Sequence, residues 1–512
     1  MSAPVFSQVS IEKIMQLLNS KTQLDAMGIF RQQQLLSLYK TAGSSLWSNE
    51  KGLSNRATLI QLIQQAADDG LSETDYQFDF ISSIYNSETA ISNDNDSVAV
   101  ELRFSDAALH YFSDLAYGNI SPAFGYDGLK YLPGTYDIPA LLAQYAAGHQ
   151  LMAFYRQLSD IFPQVAAIKK RLVRINKLAV YNFLEERISS SQVSRSNKPL
   201  LKKLYLLGIT DSLDHCLDEL VKNDLVNAQL QFNLLADGVL RSTVINELNV
   251  PLVTRTQQLK MAINYYRWLS SLSRHEPVIL VNIPSTYLRV YDADTVLLEM
   301  KMIVGKPSTP TPTLTSRVTE VVLYPYWNVP RSIATKELLP AIRRNPGYVD
   351  ANNFQILNSA GKIMDPYKID WPSVNRSNFP YTIRQSTGCD NALGLMKLNF
   401  YNPAGVYLHD TPDKGLFLFN KRYFSHGCMR MEKPMELGHL ILQHNAVAID
   451  TLEQKGCLRN QSPIPVPADI KMAVVVWYNP VDIDASGRLV FYEDIYKKFN
   501  GKYTVLFADL SR

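Results

Sequence analysis

Pro277-Val-Ile-Leu-Val-Asn-Ile283 is where the chain changes texture. Its apolar, branched run has no helical spacing, and similar runs follow at Tyr287-Leu-Arg-Val-Tyr291, Val296 to Val304 and Glu320-Val-Val-Leu-Tyr324. Short β-branched and aromatic runs bounded by turn residues predict a sheet-based domain. Upstream the period is different. Ile11, Ile14, Leu17 and Leu18, then Leu59, Ile60, Leu62 and Ile63, recur at the 3.6-residue spacing of helices, and residues 8–190 read as helical throughout. The fold class is therefore α+β and multidomain, with helices first and strands later.

Pro277 marks one domain boundary, and the others lie on either side of it. Residues 1–195 form an α-helical domain, ending in the polar linker-like Ser189-Ser-Ser-Gln-Val-Ser-Arg-Ser-Asn197. Residues 196–252 form a small helical domain with an Asp237-Gly238 turn and Ser242 as the N-cap of its last helix. Residues 253–276 are a linker helix whose Tyr265, Tyr266, Trp268 and Leu269 read as packing residues. Residues 277–500 are the mainly-β domain, interrupted at 331–390 by a helical, Pro- and Asn-rich insertion placed to act as a lid; 501–512 are a tail.

Length and composition exclude several classes. At 512 residues, against a prior of about 150 per domain, roughly three units are expected. Hydrophobic residues at 46% and charged residues at 19% match an ordinary globular protein. A net charge of +3, with Lys and Arg dispersed, lacks the basic stripe of a nucleic-acid binder. No apolar run reaches the ~20 residues of a membrane span. The start, Met1 to Phe6, has neither a basic n-region nor an apolar h-region, so a protein working outside the cytoplasm would have had its leader removed. Cys216, Cys389, Cys428 and Cys457 form no CxxC pair and no disulfide-scaffold or zinc spacing. At least one is expected to be a free thiol, and Cys216, Cys389 and Cys457 read as small buried hydrophobes.

The residues that carry chemistry are Ser425-His-Gly-Cys-Met-Arg430. Cys428 precedes an expected helix over 434–442, whose N-terminal dipole would favour thiolate. Gly427 permits close backbone approach, and the amides of Gly427 and Cys428 are candidate oxyanion donors. His409, ending a strand-like run, is the candidate base, with its second ring nitrogen held by the Asp410 carbonyl. Arg430 has the fork to hold a substrate carboxylate. On residue types alone, His409, His426 and Cys428 as core and turn residues stay an open alternative. A zinc site from these three lacks a fourth ligand, and His439 and His444 read as helix-surface residues.

That string, preceded by Gly405-Val-Tyr-Leu-His-Asp-Thr-Pro412, resembles the active-site signature of L,D-transpeptidases with a YkuD-type catalytic domain. Val281-Asn-Ile-Pro284, Val304-Gly-Lys-Pro307, Thr311-Pro-Thr313 and Tyr324-Pro-Tyr-Trp-Asn-Val-Pro-Arg-Ser-Ile333 agree with it. Glu337-Leu-Leu-Pro340, Asn352-Asn-Phe354 and Asp390-Asn-Ala-Leu-Gly394 are similar to the YcbB-like branch, whose catalytic domain carries a capping subdomain. Val226 to Phe232, with Asp237-Gly238 and Leu248-Asn249, resembles a peptidoglycan-binding-like domain, though Ala228, Arg241 and Ser242 depart from its pattern. Leu36 to Trp47 resembles the family's scaffold.

The resemblance implies Cys428 as nucleophile, His409 as base, and His426 with Gly427 shaping the oxyanion site. Arg430, Ser425, Tyr407, Trp327 and Asp410 are the candidate substrate-binding residues. It implies no cofactor and no metal. The substrates would be donor and acceptor peptidoglycan stem peptides, joined as 3-3 crosslinks with release of terminal D-alanine, in the periplasm or cell envelope. Carbapenem-type β-lactams would acylate the same sulfur. The alternatives are a carboxypeptidase or protein-attachment enzyme using the same thioester, and an inactive wall-binding scaffold.

Overall fold

The computed structural model describes residues 9–48, 52–86, 94–159, 162–179, 186–190, 198–211, 213, 218–443, 449, 452, 457–459 and 461–499. The expected linker at 191–197, Cys216, His444 and the tail at 501–512 lie outside them. The chain divides into two compact units.

The first unit, residues 1–122, 131–275 and 479–512, is mainly helical among the described residues, with one two-stranded sheet of Val481–Ile483 and Leu489–Phe491. Among the described residues its longest helix is Asp94–Tyr117, which opens on the polar Asp94-Asn-Asp-Ser97. Trp47, Phe104, Phe112 and Phe154 are buried in one aromatic-rich core. A buried carboxylate organises it: Glu101 accepts from the Leu46 amide at 2.6 Å, the Trp47 amide at 3.1 Å and the Tyr39 hydroxyl at 2.9 Å. Such donors offset the cost of burying the group. The linker helix runs Leu252–Ser273, and Tyr265, Tyr266, Trp268 and Leu269 are all buried in it. At the Asp237-Gly238 turn, Gly238 sits at φ +73 and its amide donates to the buried Gln229 side chain at 2.8 Å. The expected N-cap is shifted by one: the helix starts at Ser242 and Arg241 stands at the N-cap position without a side-chain capping bond, its guanidinium pairing with Asp237.

The second unit, residues 123–130 and 276–478, holds the expected strands at Val278–Asn282, Tyr287–Asp292, Thr295–Gly305 and Leu314–Leu323. With Met396–Phe400, Leu408–His409, Met429–Met431 and Ala473–Trp477 they form a sheet whose path of pairing returns to Leu314–Leu323. The central strands Val278–Asn282 and Ala473–Trp477 are buried along their whole length, which is why they read as continuous apolar runs rather than alternating ones. The run from Gly405 contributes only Leu408 and His409 to the sheet, because Asn402 holds Val406 in a turn through its amide and carbonyl at 3.0 and 2.7 Å.

The insertion has its own core around Ile342, Ile356, Trp371 and Ile383. It is not purely helical as expected: Trp327–Asn328, Phe354–Leu357, Ile363–Met364 and Thr382–Gln385 make a four-stranded sheet. At its end the cysteine reading is corrected. Cys389 and Cys457 are exposed and joined by a disulfide. Neighbouring contacts hold the same two segments together, the Gln461 amide donating to Thr387 at 2.9 Å and Arg459 pairing with Asp390 at 3.1 Å. Among the described residues no helix is long and apolar enough to cross a membrane.

Candidate active site

Leu408–His409 pairs in parallel with Met429–Met431, setting Leu408 opposite Met429 and His409 opposite Arg430. Successive side chains on a strand point to opposite faces. Leu408 and Met429 are wholly buried in the core. Tyr407, His409, Cys428 and Arg430 therefore share the other face, and the strand pairing brings the candidate base and thiol together. On its other edge Leu408–His409 meets Met396–Phe400, with Lys397 opposite His409, so Lys397 and Asn399 join the same face.

His409 is 4% exposed, and its Nδ1 lies 2.5 Å from the Asp410 carbonyl oxygen. A carbonyl only accepts, so Nδ1 carries the hydrogen and Nε2 is left with a lone pair. Burial, helped by the positive charges of Arg430 and Lys397, pushes the imidazole down to about 3. It is a neutral ring at physiological pH. The Tyr407 ring packs edge-on against it at 5.6 Å.

Cys428 is a free, half-buried cysteine. Burial pushes its thiol up; the Tyr407 amide and hydroxyl, which donate toward sulfur, and the nearby Lys397 and Arg430 offset this only in part. This corrects the expectation of a helix-lowered thiol. Cys428 runs straight into strand Met429–Met431, and helix Pro434–Ile441 begins beyond that strand, outside the short reach of its dipole.

The turn before Cys428 is built by side chains. Gly427 sits at φ +116, a conformation that excludes a Cβ at ordinary cost. Its amide donates to Ser425 Oγ at 3.1 Å, and that hydroxyl donates to the Cys428 carbonyl at 2.5 Å. From the adjoining loop Thr311 donates to the Gly427 carbonyl at 2.8 Å, while the Thr309 hydroxyl and Lys306 amide donate to the Ser425 carbonyl at 3.1 and 3.0 Å. Ser425 is buried and braces the turn, and the Gly427 amide, expected to face an oxyanion, is occupied by it.

The remaining candidates divide. His426 is the exposed residue of the turn; its Nε2 lies 3.0 Å from Glu337 of the insertion and 3.4 Å from Lys306. Arg430 pairs with Asp413 at 3.0 Å. The Asp410 carboxylate is buried, accepts from the Leu395 amide at 2.9 Å and pairs with Lys414 at 2.6 Å. Trp327 sits in the insertion sheet and packs against Phe354, whereas Tyr407 stands beside the sulfur. Sequence alone singles out neither Lys397 nor Thr309, and Thr311 only as part of the resemblance, without a role in this turn. Alternation in Met396-Lys-Leu-Asn-Phe400 was the available signal, since it sets Lys397 and Asn399 on one face.

Residues 276–449 match the YkuD family model, described as L,D-transpeptidase catalytic domain, and residues 33–172 match a model described as Scaffold domain. The second unit thus carries an L,D-transpeptidase catalytic domain of the YkuD family, joined in the chain to a helical scaffold domain. A Haemophilus influenzae protein named "Putative L,D-transpeptidase" is 35% identical over 237 residues, which are 46% of this chain and 47% of that one. The chain spans about half the length of this curated relative. Among solved structures, an L,D-transpeptidase from Mycobacterium smegmatis is 16% identical, with 39% of this chain and 58% of that chain covered, at a TM-score of 0.19. The LD transpeptidase LdtMt1 in complex with imipenem is also 16% identical over the same shares, at a TM-score of 0.18. Scores this low bear no weight on the overall architecture.

Proposed function

We propose that this protein is a cysteine L,D-transpeptidase of the YcbB-like branch that forms 3-3 crosslinks between peptidoglycan stem peptides in the periplasm. The observation that carries the reading is the sharing of one sheet face by a free cysteine, Cys428, and a neutral imidazole, His409, whose Nδ1 is fixed by the Asp410 carbonyl.

The chemistry follows from a pair that is uncharged at rest. As Cys428 Sγ attacks the carbonyl between the third and fourth residues of a donor stem, its proton passes to His409 Nε2. A carbon–sulfur bond forms, and the carbonyl oxygen becomes an oxyanion. The Cys428 amide and the Tyr407 hydroxyl are the donors placed to meet it, the latter beside the sulfur already. Collapse breaks the carbon–nitrogen bond; the imidazolium returns its proton to the departing amine, and D-alanine leaves. An acceptor side-chain amine then attacks the thioester, gives a proton to His409, and expels the thiolate, which takes that proton back. Water competes at this step. The insertion, whose Glu337 reaches the turn through His426, is positioned to limit it.

The exposed Cys389–Cys457 disulfide suits an oxidising compartment outside the cytoplasm. Carbapenem-type β-lactams would acylate the same sulfur. The domain layout proposed from sequence stands as a proposal too, with 196–252 as a peptidoglycan-binding-like domain and 331–390 as the cap.

The test is Cys428→Ala in the full chain. The variant is expected to keep the wild-type circular dichroism spectrum and to yield no 3-3 crosslinks from a tetrapeptide donor and acceptor. Crosslinking at the wild-type rate would overturn the assignment, and tripeptide alone from the wild-type protein would favour a carboxypeptidase.

A further inference from the structure

Arg430 is the cation that sequence offers for a substrate carboxylate, yet it is already paired with Asp413 at 3.0 Å. Lys414 is paired with Asp410 at 2.6 Å. Lys397 differs from both. Its ammonium lies 4.2 Å from the centroid of the Tyr407 ring, and among the described residues no carboxylate comes within ion-pair distance of it. Cys428 and, behind it, Glu320 are the acidic groups whose charge reaches it, and Glu320 is engaged by the Asn399 side-chain amide at 2.6 Å.

Lys397 also borders a cleft. A cavity of about 420 Å³ lies beside the thiol-bearing face, lined by Thr319, Lys397, Asn399, Asn402, Gly405 and Tyr407 among others. It has the size for a short peptide end. Its wall therefore carries a half-buried cation, and the Tyr407 ring that lies under this ammonium belongs to the residue whose electrostatics are coupled to Cys428. Burying an ammonium without an acid partner is costly unless an anion arrives to complete it. Cation–π contact supplies part of that stabilisation and leaves donors free.

We propose that Lys397 is a specificity-determining residue, binding a carboxylate of the stem peptide in this cleft. Two carboxylates have that chemistry: the terminal carboxylate of the departing residue on the donor, and the one next to the attacking amine on the acceptor. The inference rests on the transpeptidase reading of Cys428 and His409. It adds a cause for substrate choice, since a peptide with an uncharged end would leave Lys397 unpaired.

The experiment compares wild type, Lys397→Met and Lys397→Arg in the full chain. The donor arm measures acyl-enzyme formation by mass spectrometry with a tetrapeptide and with its C-terminal carboxamide. The acceptor arm measures resolution of the thioester by an amine bearing or lacking an adjacent carboxylate. In one arm Lys397→Met is expected to lose about 10–100-fold in kcat/KM on the carboxylate substrate and less than about 3-fold on the amide, with partial rescue by Arg. The arm that discriminates identifies which carboxylate is bound. The circular dichroism spectrum and the unfolding midpoint serve as fold controls, because loss of Lys397 can itself change the labelling rate of Cys428. Equal losses on carboxylate and amide in both arms would overturn the proposal, assigning Lys397 to tuning the sulfur alone. A wild-type protein that acylates with neither donor would instead overturn the transpeptidase reading.

Discussion

Burial acts in opposite directions on the two groups proposed to react, raising the Cys428 thiol and pulling the His409 imidazole down to about 3. At neutral pH the pair is therefore thiol and imidazole, and the sulfur needs the base at the moment of attack. The sign for activity follows. Since His409 stays in its basic form until the pH approaches 3, kcat/KM is expected to have no acid limb near 6.5. A limb centred there would mean that the ring titrates as a solvated one. On the alkaline side, the iodoacetamide labelling rate of the apo protein should still be rising above pH 9, where an activated thiol would have reached its plateau. At Gly427 the φ of +116 makes Gly427→Ala a strained substitution, costing about 1–3 kcal/mol locally. It should cut acylation more than it lowers Tm, because the strain falls on the turn that aims the sulfur; a variant with unchanged acylation would argue that this turn does not set the geometry. The proposed pair, Cys428 and His409, was legible in sequence as residue types. Their charge states were not, because desolvation depends on what the sheet packs around Cys428, and the nearest helix in sequence is not the nearest in effect.

The elements tell a similar story. Long strands with branched residues, such as Val278–Asn282, declare themselves because the side chains have no alternative use. Leu408–His409 and Trp327–Asn328 are two residues each, too short for any periodicity, and the insertion sheet is built from such pieces. The pairing of Cys389 with Cys457 also escaped, since 68 positions separate them and neither spacing nor composition marks a bridge. It closes a long loop, for which chain-entropy arguments give about 4 kcal/mol. Cys389→Ser with Cys457→Ser is expected to lower the unfolding midpoint of the catalytic unit by several degrees while Cys428 still labels. An unchanged midpoint would show that the Thr387–Gln461 and Asp390–Arg459 contacts hold these segments unaided.

At the scale of the molecule, the helical unit carries an electrostatic cost of its own. Asp114 is raised to about 7 by burial, and its neighbour His110 is lowered to about 4, so neither is charged for much of the range between. Their 3.4 Å approach is a contact between largely neutral groups under those conditions, beside the Tyr76 hydroxyl that donates to Asp114 at 2.9 Å. A carboxyl whose folded pKa exceeds its unfolded value of about 3.9 favours folding least at high pH: its contribution is complete below the unfolded value and lost as pH rises through about 7. Asp114→Asn should therefore raise Tm by several degrees at pH 8 and by much less at pH 5. A gain independent of pH would place the effect in packing.

The bridge between Cys389 and Cys457 also frames a problem of assembly. Cys428 lies between them in the sequence, and among these three of the chain's four cysteines an oxidising environment can draw three different pairs. Two of the three bonds would consume Cys428, the proposed nucleophile. Refolding from the fully reduced state in glutathione buffer should pass through inactive isomers that a disulfide isomerase rescues, and yield of active protein, rather than rate of turnover, becomes the quantity that the redox poise of its surroundings controls.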